Sequence, residues 1–230
     1  MQARKFGEYM RITSWNVNSV RARLHRIPDW LDEAGPDVLC LQELKCMEEQ
    51  FPREVFESRG YHLAIRGQKT YNGVAIASRL PLEDVDIDLP VAGDSEARGI
   101  AATIAGVRVV NLYVVNGKAV GDVKYDWKLQ WLDALVEYVK GNYRPDQALV
   151  VCGDYNIAPT DEDTWDPKLW HGQVLCSEPE RERLQQLLDW GLVDSYRTLY
   201  PDAWGRYAHT WWDYRGRGFQ RGLGMRIDHH

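Results

Sequence analysis

The sequence predicts an α/β fold in which two β-rich sheets carry helices on their outer sides, an α/β sandwich. Short apolar segments bounded by turn residues alternate with longer segments that have the period of a helix. Strands are predicted at 11–15, 37–42, 61–65, 73–78, 99–105, 107–114, 147–152 and 209–213. Helices are predicted at 22–34, 50–59, 122–141 and 180–190.

The predicted helix 122–141 has the clearest helical pattern. Its apolar stripe consists of Val123, Trp127, Leu132, Leu135, Val136 and Val139. Gly141 and Asn142 end it, as small and amide residues commonly do at a helix C-terminus. In the predicted helix 180–190, one face carries Leu184, Leu187 and Leu188, and Gly191 is the stop signal.

Composition indicates one domain with enough apolar material for a core. The chain has 230 residues, of which 44% are hydrophobic, and no linker, repeat or low-complexity stretch divides it. We expect a single domain over residues 10–230 and a polar extension over residues 1–9 that does not resemble a signal peptide. No apolar segment reaches membrane-spanning length, so we expect no membrane partner.

The cysteines indicate a reducing compartment. Cys40, Cys46, Cys152 and Cys176 lack the spacing of a metal site, and Cys40 and Cys152 fall within apolar strand segments. We therefore expect buried, reduced thiols and a cytoplasmic protein.

The most informative motif is an acid and an amide at the end of a predicted strand. Asp154 and Asn156 follow the apolar run 147–152, and alternation along a strand would place both side chains on one side. The ends of buried strands are where open sheets commonly place chemistry. A Gly-Asp-x-Asn turn that caps the following element would give the same residues, so this reading stays open.

Other strand ends carry the same kinds of group. One predicted strand ends in Asn16 and Asn18, a second in Glu43, and a third carries Tyr113 and Asn116 near its exit. Each could be an ordinary turn or core residue when taken alone. Together, carboxylates, amides and a phenol favour Mg²⁺ or Mn²⁺ and a phosphate ester over zinc or a thiol nucleophile.

A basic, aromatic segment lies near the C-terminus, although the net charge of −6 is unfavourable for binding DNA. The segment contains Arg206, Tyr207, Trp211, Trp212, Tyr214, Arg215, Arg217, Phe219, Arg221 and Arg226. Interleaved arginines and aromatics suit a groove for a nucleic-acid backbone with a pocket for a displaced nucleotide. A basic, glycine-rich surface loop with core tryptophans is the alternative.

Seven segments together resemble the exonuclease III family of apurinic/apyrimidinic endonucleases, in order from Met10 to His230. They are Trp15 to Arg23, Leu41 to Lys45, Tyr61 to Ala77, Gly153 to Pro159, Trp190 to Asp194, Trp211 to Arg215 and Gly224 to Asp228. The resemblance implies a DNase I-like, four-layer α/β sandwich of two packed mixed sheets flanked by helices. It also implies metal-dependent hydrolysis 5′ to an abasic site in duplex DNA, with 3′–5′ exonuclease and 3′-phosphodiesterase activity.

The residues and the resemblance together assign roles. Among the strand-end groups, Asp154 is the candidate to activate water and Glu43 the candidate metal ligand. The groups expected near the phosphate oxygens are Asn16, Asn156 and Tyr113. By resemblance, Asn18 lies near the metal and Trp211 forms a wall of the abasic-site pocket. Further substrate contacts are expected from Arg21, Arg98, Asn116, Arg215 and Arg221, on duplex DNA bound by a monomer.

The end of the chain departs from the family pattern. In the family, the catalytic acid at Asp228 pairs with a histidine on a later strand, within a Ser-Asp-His segment that this chain lacks. We therefore expect one or more C-terminal strands of the fold to be missing here. His229 and His230 are expected to begin a strand or to be a cloning remnant, and His209 to be structural. A second departure is Val115, where relatives usually carry proline.

Three functions therefore stay open at the level of sequence. The first is an active abasic-site endonuclease, and the second is a DNA-binding but catalytically impaired member. The third is a phosphatase of the same superfamily that acts on a small molecule. Incision of an abasic-site duplex with Mg²⁺ separates the first from the second, and binding of the duplex without turnover separates the second from the third.

Overall fold

The computed structural model describes residues 9–89 and 91–230, and the chain divides into two compact units. The first unit contains residues 1–89 and 96–111, and the second contains residues 90–95 and 112–230. Residues 1–8 of the expected extension lie outside the described residues.

The first unit contains a four-stranded mixed sheet. Its strands are β1 (Ile12–Asn16), β2 (Val38–Gln42), β3 (His62–Arg66) and β4 (Val74–Ser78), in the order β1-β2-β4-β3. β1 and β2 are parallel, with Ile12 opposite Val38, and the other pairs are antiparallel. β2 and β4 are buried at every position, which explains why both appear in the sequence as continuous runs rather than as alternating patterns.

Helices α1 (Ile27–Ala34) and α2 (Arg53–Glu57) belong to the same unit, where Ile27, Leu31 and Phe56 join the core. The predicted helix 22–34 was therefore too long. Residues Arg21–Arg23 form a separate 3₁₀ turn, and α1 begins at Ile27 with Pro28 in its first turn. Proline lacks an amide hydrogen and its ring clashes with the preceding turn, so a helix can begin at Pro28 but cannot run through it.

Three further strands follow: β5 (Glu83–Asp86), β6 (Gly99–Ile104) and β7 (Val107–Tyr113). β6 lies between β5 and β7, and β7 crosses the boundary between the units after Asn111. β5 was not predicted, because Glu-Asp-Val-Asp has an acidic, exposed pattern with little apolar signal. It is a strand because it pairs with β6.

The second unit combines helices with short strands. Its helices are α3 (Val123–Asn142), α4 (Pro167–Trp170), α5 (Glu178–Trp190), α6 (Ser195–Leu199) and α7 (Gly218–Arg221). Its strands are β8 (Leu149–Asp154), β9 (Trp211–Trp212), β10 (Gly224–Met225) and β11 (Asp228–His229). β11 is antiparallel to β8, whose other neighbour is the end of β7, and β9 pairs with β10. His229 is thus part of a strand, as one of the two sequence readings expected.

The buried face of α3 differs from the predicted stripe. Val123 is exposed and Trp127 is only half-buried, whereas Tyr125, Lys128 and Trp131 are buried. The first half of the buried face is therefore rotated relative to the prediction. Lys128 lies in the middle of that face. A search for apolar residues at helical spacing counts lysine as polar, so it could not place Lys128 on the buried face.

The four cysteines are buried, as the sequence predicted. Cys40, Cys46, Cys152 and Cys176 are buried free thiols. Burial raises the pKa of Cys176 to about 12, so this thiol stays protonated at neutral pH. Over the described residues, no helix is both long enough and apolar enough to cross a bilayer.

Gly153 is required where β8 passes β7. Its φ is +138°, and a Cβ atom added there would lie 2.0 Å from the carbonyl oxygen of Leu112. We expect Gly153→Ala to lower the free energy of unfolding by more than about 3 kcal/mol, because both strain and overpacking result. Gly106→Ala is the control, since φ is positive there as well but nothing lies within 4 Å. We expect that control to cost about 1–2 kcal/mol. Urea denaturation measures both, and equal losses would contradict the close approach.

Candidate active site

The first unit places a carboxylate, two amides and an ammonium together at the ends of β1 and β2. Asn16 Nδ2 donates to Glu43 Oε1 at 2.8 Å, and Lys45 Nζ lies 2.7 Å from Glu43 Oε2. The same ammonium donates to Asn18 Oδ1 at 2.5 Å. We call Asn16, Asn18, Glu43 and Lys45 the Glu43 cluster. The structure therefore brings together Asn16, Asn18 and Glu43, three of the residues of this unit that the sequence assigned to the metal or the substrate.

Unusual backbone conformations form the Glu43 cluster. Asn18 has φ of +43°, and Glu43 and Lys45 both have φ of +53°. Asn16 Oδ1 accepts from the Asn18 amide at 3.0 Å, and the Ser19 amide donates to the Glu43 carbonyl at 2.8 Å. The side-chain positions thus come from tight turns after the strands and not from strand alternation alone.

A buried polar pair supports the strand that leads to Glu43. Gln42 and Asn111 are fully buried, and Gln42 Nε2 donates to Asn111 Oδ1 at 2.6 Å. Asn111 Nδ2 in turn donates to the carbonyls of Leu41 and Ala75, each at 2.9 Å. The bonds join β2 to β4 and to the chain at Asn111, which holds the end of β2 in place. Sequence reasoning missed this pair, because an amide within an apolar strand gives no signal of its partner.

The Glu43 cluster has the chemistry of a hard-cation site. Its oxygen atoms belong to one carboxylate and two amides, and the Lys45 ammonium bridges Glu43 and Asn18. Among the described residues, no group of three or more His, Cys, Asp or Glu side chains is placed to hold a metal. Mg²⁺ commonly uses one or two carboxylates and completes its shell with water and substrate phosphate, so Glu43 with amide oxygens fits such an ion.

The second unit places another acid and two amides together at the end of β8. Asn116 Nδ2 donates to Asn156 Oδ1 at 3.0 Å, and Asn156 Nδ2 donates to the Val114 carbonyl at 3.0 Å. The Asn156 amide donates to Asp154 Oδ1 at 2.9 Å. Asp154 and Asn156 are buried, whereas Asn116 is exposed. We call Asn116, Asp154 and Asn156 the Asp154 cluster.

The prediction that strand alternation aligns Asp154 with Asn156 was wrong. β8 ends at Asp154, and Asn156 has φ of +52°. The carboxylate of Asp154 instead accepts the amide two residues later, which is the turn that the alternative reading described. The acid and the amide are still adjacent, since the backbone amide of Asn156 donates directly to the Asp154 carboxylate.

Asp228 lies beside Asp154. β11 pairs with β8 so that Asp228 is opposite Asp154, and the Asp228 amide donates to Thr210 Oγ1 at 3.1 Å. The next residue, His229, is buried: Nε2 lies 2.8 Å from the Ile157 carbonyl and Nδ1 lies 3.2 Å from Arg226 Nη1. Since the arginine can only donate, His229 Nδ1 accepts and Nε2 carries the proton. His229 is thus a neutral structural histidine.

An ion network that the sequence did not reveal holds this part of the second unit. Arg226 is buried and its Nε donates to Asp163 Oδ1 at 2.8 Å, while its Nη1 donates to Asp194 Oδ2 at 2.8 Å. Arg197 Nη2 also reaches Asp163 Oδ1 at 2.5 Å. Burial alone would raise the pKa of Asp163, but its bonds to Arg226 and Arg197 lower it. Arg226 was predicted as part of a DNA-facing segment, and the structure buries it instead.

Three further predicted residues lie on β7, in a 3₁₀ turn and before β6. Tyr113 ends β7, and Arg21 is exposed in the 3₁₀ turn before α1. Arg98 is mostly buried and its Nη2 donates to Glu96 Oε2 at 2.5 Å. The site role of Arg98 therefore requires that a substrate phosphate compete with Glu96.

The arginine and aromatic segment is partly surface and partly core. Trp211 is half-buried and packs on a cluster that includes Ala158, Leu175 and Met225. The exposed side chains of the segment are Arg206, Tyr207, Tyr214, Arg217, Phe219 and Arg221. The side chain of Arg215 lies outside what the structure describes. Trp211 therefore packs inward, whereas Arg206, Arg217 and Arg221 are exposed, and the nucleic-acid groove stays a prediction.

His209 is buried near the same segment. Its ring lies edge-on to Trp212 with centroids 6.2 Å apart, and burial lowers its pKa. A neutral imidazole packed on an indole fits the structural role that the sequence suggested.

Comparison of the sequence with known proteins identifies one family and related nucleases. The sequence profile described as the Endonuclease/Exonuclease/phosphatase family matches residues 13–230. Exodeoxyribonuclease III of Haemophilus influenzae is 33% identical over 232 residues, which cover 96% of this chain and 86% of that protein.

Solved structures agree with the sequence relatives. The 3′–5′ exonuclease NExo from Neisseria meningitidis is 48% identical, with a TM-score of 0.90, and the match covers 96% of this chain and 85% of that one. An AP endonuclease from Archaeoglobus fulgidus is 40% identical, with the same TM-score and coverage. A structure of the 3′ phosphatase NExo from Neisseria, bound to a product DNA hairpin, is 47% identical with a TM-score of 0.91 over the same shares. These similarities confirm the predicted fold class and the family resemblance.

The buried histidine makes stability depend on pH. Burial, together with the adjacent Arg226, lowers the pKa of His229 to about 4, whereas an unfolded histidine titrates near 6.5. Between these values the unfolded chain binds more protons, so this contribution to stability is present above pH 6.5 and is lost as the pH falls towards 4. We expect His229→Gln to reduce the loss across this window by about 2–3 kcal/mol. Urea denaturation at several pH values measures it, with the exposed His62→Gln as the control. An unchanged pH slope in His229→Gln would contradict the assignment.

Proposed function

The chain belongs to the endonuclease/exonuclease/phosphatase family, and we propose that it hydrolyses the phosphodiester 5′ to an abasic site in duplex DNA. The chain is a DNA-repair nuclease, a hydrolase of the exodeoxyribonuclease III and AP endonuclease type. We include 3′–5′ exonuclease and 3′-phosphodiesterase activity in the proposal, with Mg²⁺ or Mn²⁺ as cofactor. Duplex DNA is the proposed partner of a monomer.

The observation that carries the proposal is the Glu43 cluster. A carboxylate held by Asn16 and matched by the Lys45 ammonium is arranged to hold positive charge beside a strand end. Glu43 and Asn18 would hold the divalent ion, which when bound would offset negative charge on the phosphate. A phosphate ester is the substrate that such positive charge favours.

The Asp154 cluster supports the hydrolytic step. We assign Asp154 to orient and deprotonate the attacking water, since its carboxylate lies at a rigid strand end and its Oδ1 is already fixed by the Asn156 amide. Asn156 and Asn116 are amides that can donate to phosphate oxygens, and Asn116 is exposed to a ligand. Asp228 stands opposite Asp154 and is assigned to proton transfer in the same reaction.

Processing of 3′ ends is the second candidate for the main activity. The structures named 3′ phosphatase and 3′–5′ exonuclease are 47% and 48% identical to this chain, against 40% for the AP endonuclease from Archaeoglobus fulgidus. A duplex with one internal abasic site and a second duplex with a 3′-phosphate separate the candidates. Internal incision supports the endonuclease. Removal of 3′ groups without internal incision would make end processing the main activity. Neither reaction, with hydrolysis of a small phosphate ester, would favour a small-molecule phosphatase.

We expect Glu43→Gln and Asp154→Asn to respond differently to metal. Loss of the Glu43 carboxylate weakens cation binding, so excess Mg²⁺ or Mn²⁺ should recover part of the rate. Loss of the Asp154 carboxylate removes the base, which typically contributes about 10²–10⁴-fold, and no metal concentration should restore it. The measurement is the single-turnover incision rate across a metal titration.

The outcome that contradicts this division of roles is an identical metal response in the two variants. Asp189→Asn, an exposed acid at the end of α5, is the control for a change of charge without a change in the site.

We expect substitutions of Trp211 and Arg221 to affect the binding of abasic and undamaged duplex differently. Trp211→Ala should weaken binding of abasic duplex by about 1–3 kcal/mol while binding of undamaged duplex changes little, if the indole walls a pocket. Arg221→Ala should weaken both duplexes alike and flatten the salt dependence, because a phosphate contact carries no sequence or damage information. Fluorescence anisotropy at several salt concentrations measures both. Equal losses on the two duplexes for Trp211→Ala would make Trp211 a packing residue only.

A further inference from the structure

Lys128 is a fully buried charge in the middle of the apolar face of α3. Its side chain has no exposed surface, and the neighbours on that face are Tyr125, Trp131 and Leu132. Burying an ammonium ion is unfavourable unless each of its donors is paired. The groups that accept hydrogen bonds from Lys128 therefore indicate the role of this buried charge.

Each donor of Lys128 has an acceptor. A lysine ammonium has three N–H groups. Its Nζ lies 2.6 Å from the carbonyl oxygen of Asn156 and 3.3 Å from that of Asn116. The third partner is the carboxylate of Glu180, which is also fully buried and forms a short hydrogen bond to Nζ. Burial lowers the pKa of Lys128, and the Glu180 charge opposes that shift.

Two of the three acceptors are the backbones of candidate site residues. The side chains of Asn116 and Asn156 are bonded to each other at 3.0 Å, and the Asn156 amide is bonded to Asp154 at 2.9 Å. Lys128 thus holds Asn116 and Asn156 by their backbone carbonyls, which leaves their side chains in place. Asn156 has φ of +52°, so its carbonyl does not point in the direction it would have in a strand. The Lys128 ammonium donates to the carbonyl in this turned position.

The Glu180 contact does not by itself explain the lysine. Glu180 already accepts from the amides of Leu175 and Ser177, each at 3.0 Å, and from the Ser177 hydroxyl at 2.5 Å, as the capping box of α5. A glutamine could keep one such capping contact without any charge. Apolar side chains of similar size often replace a buried ion pair with little loss of stability. An apolar residue in place of Lys128 could not bind the backbone carbonyls of Asn116 and Asn156.

We propose that Lys128 is a positioning residue, which holds Asn116 and Asn156 in register with Asp154 for contact with the DNA phosphate. This inference rests on the proposed function for its effect on catalysis. Its structural part, the ordering of the Asn156 turn, stands independently of any activity.

The test uses the full chain with Lys128→Met combined with Glu180→Gln, so that no unpaired charge is buried. Lys124→Met, an exposed lysine one turn earlier on α3, is the matched control. Hydrogen exchange of the Asn156 amide should become about tenfold faster in the double variant relative to the global unfolding rate, and should not change in the control. Unchanged protection would overturn the inference even if the chain cleaved no DNA.

The catalytic part is tested by a cycle with Asn156→Ala. Misplacing a site residue by about 1 Å can cost on the order of 10²-fold in rate. We therefore expect the double variant to lose about that factor in kcat with little change in KM, but to lose little more when Asn156 is already alanine. An equal loss in both backgrounds would show a general structural role and overturn the inference. Absence of cleavage by the unaltered chain would instead reject the proposed function, and the exchange measurement would still decide the role of Lys128.

Discussion

In each of the two units, the candidate site residues depend on strand ends whose backbone leaves the sheet in a left-handed conformation. Asn18, Glu43 and Asn156 all have φ between +43° and +53°, a region that costs roughly 1–2 kcal/mol for a residue with a side chain. The conformations persist because nearby side chains accept the turned amides: Asn16 binds the Asn18 amide and Asp154 binds the Asn156 amide. The same groups are the proposed catalytic ones, so each unit uses its site residues to hold its own backbone.

The buried charge of Arg226 helps to position the strand that carries Asp228. Arg226 is almost fully buried, yet its guanidinium is matched by Asp163 and Asp194 and by the ring of His229. Such a network is favourable only when every donor is paired. Because Arg226 precedes β11 by two residues, the network fixes the short strand that carries Asp228 opposite Asp154. A two-residue strand has little pairing of its own, so the ion network and the bonds of Asp228 to Thr210 and of His229 to Ile157 together hold it.

The sequence located the regular strands well and the irregular elements poorly. Strands such as β2 and β4 are continuous apolar runs bounded by turn residues, and these signals are local. β5, β10 and β11 are strands because of the segments beside them, and the predicted helix at 22–34 ignored the proline at position 28. The predicted face of α3 failed at its first half because a buried lysine stands where periodicity expects an apolar residue.

The fold class, the family and the kinds of chemical group at the strand ends can be predicted from sequence, because strand patterns and motif order are contained in local residues. Which polar groups pair with each other becomes visible in the folded chain. Lys128 meets Asn156 across 28 positions, Glu180 meets Lys128 across 52 and Arg226 meets Asp163 across 63. The solvation penalty of a buried charge requires a partner but does not say where in the chain that partner lies. Pairing is therefore settled by the packed fold, and with it the exact setting of Asn116, Asn156 and Asp228.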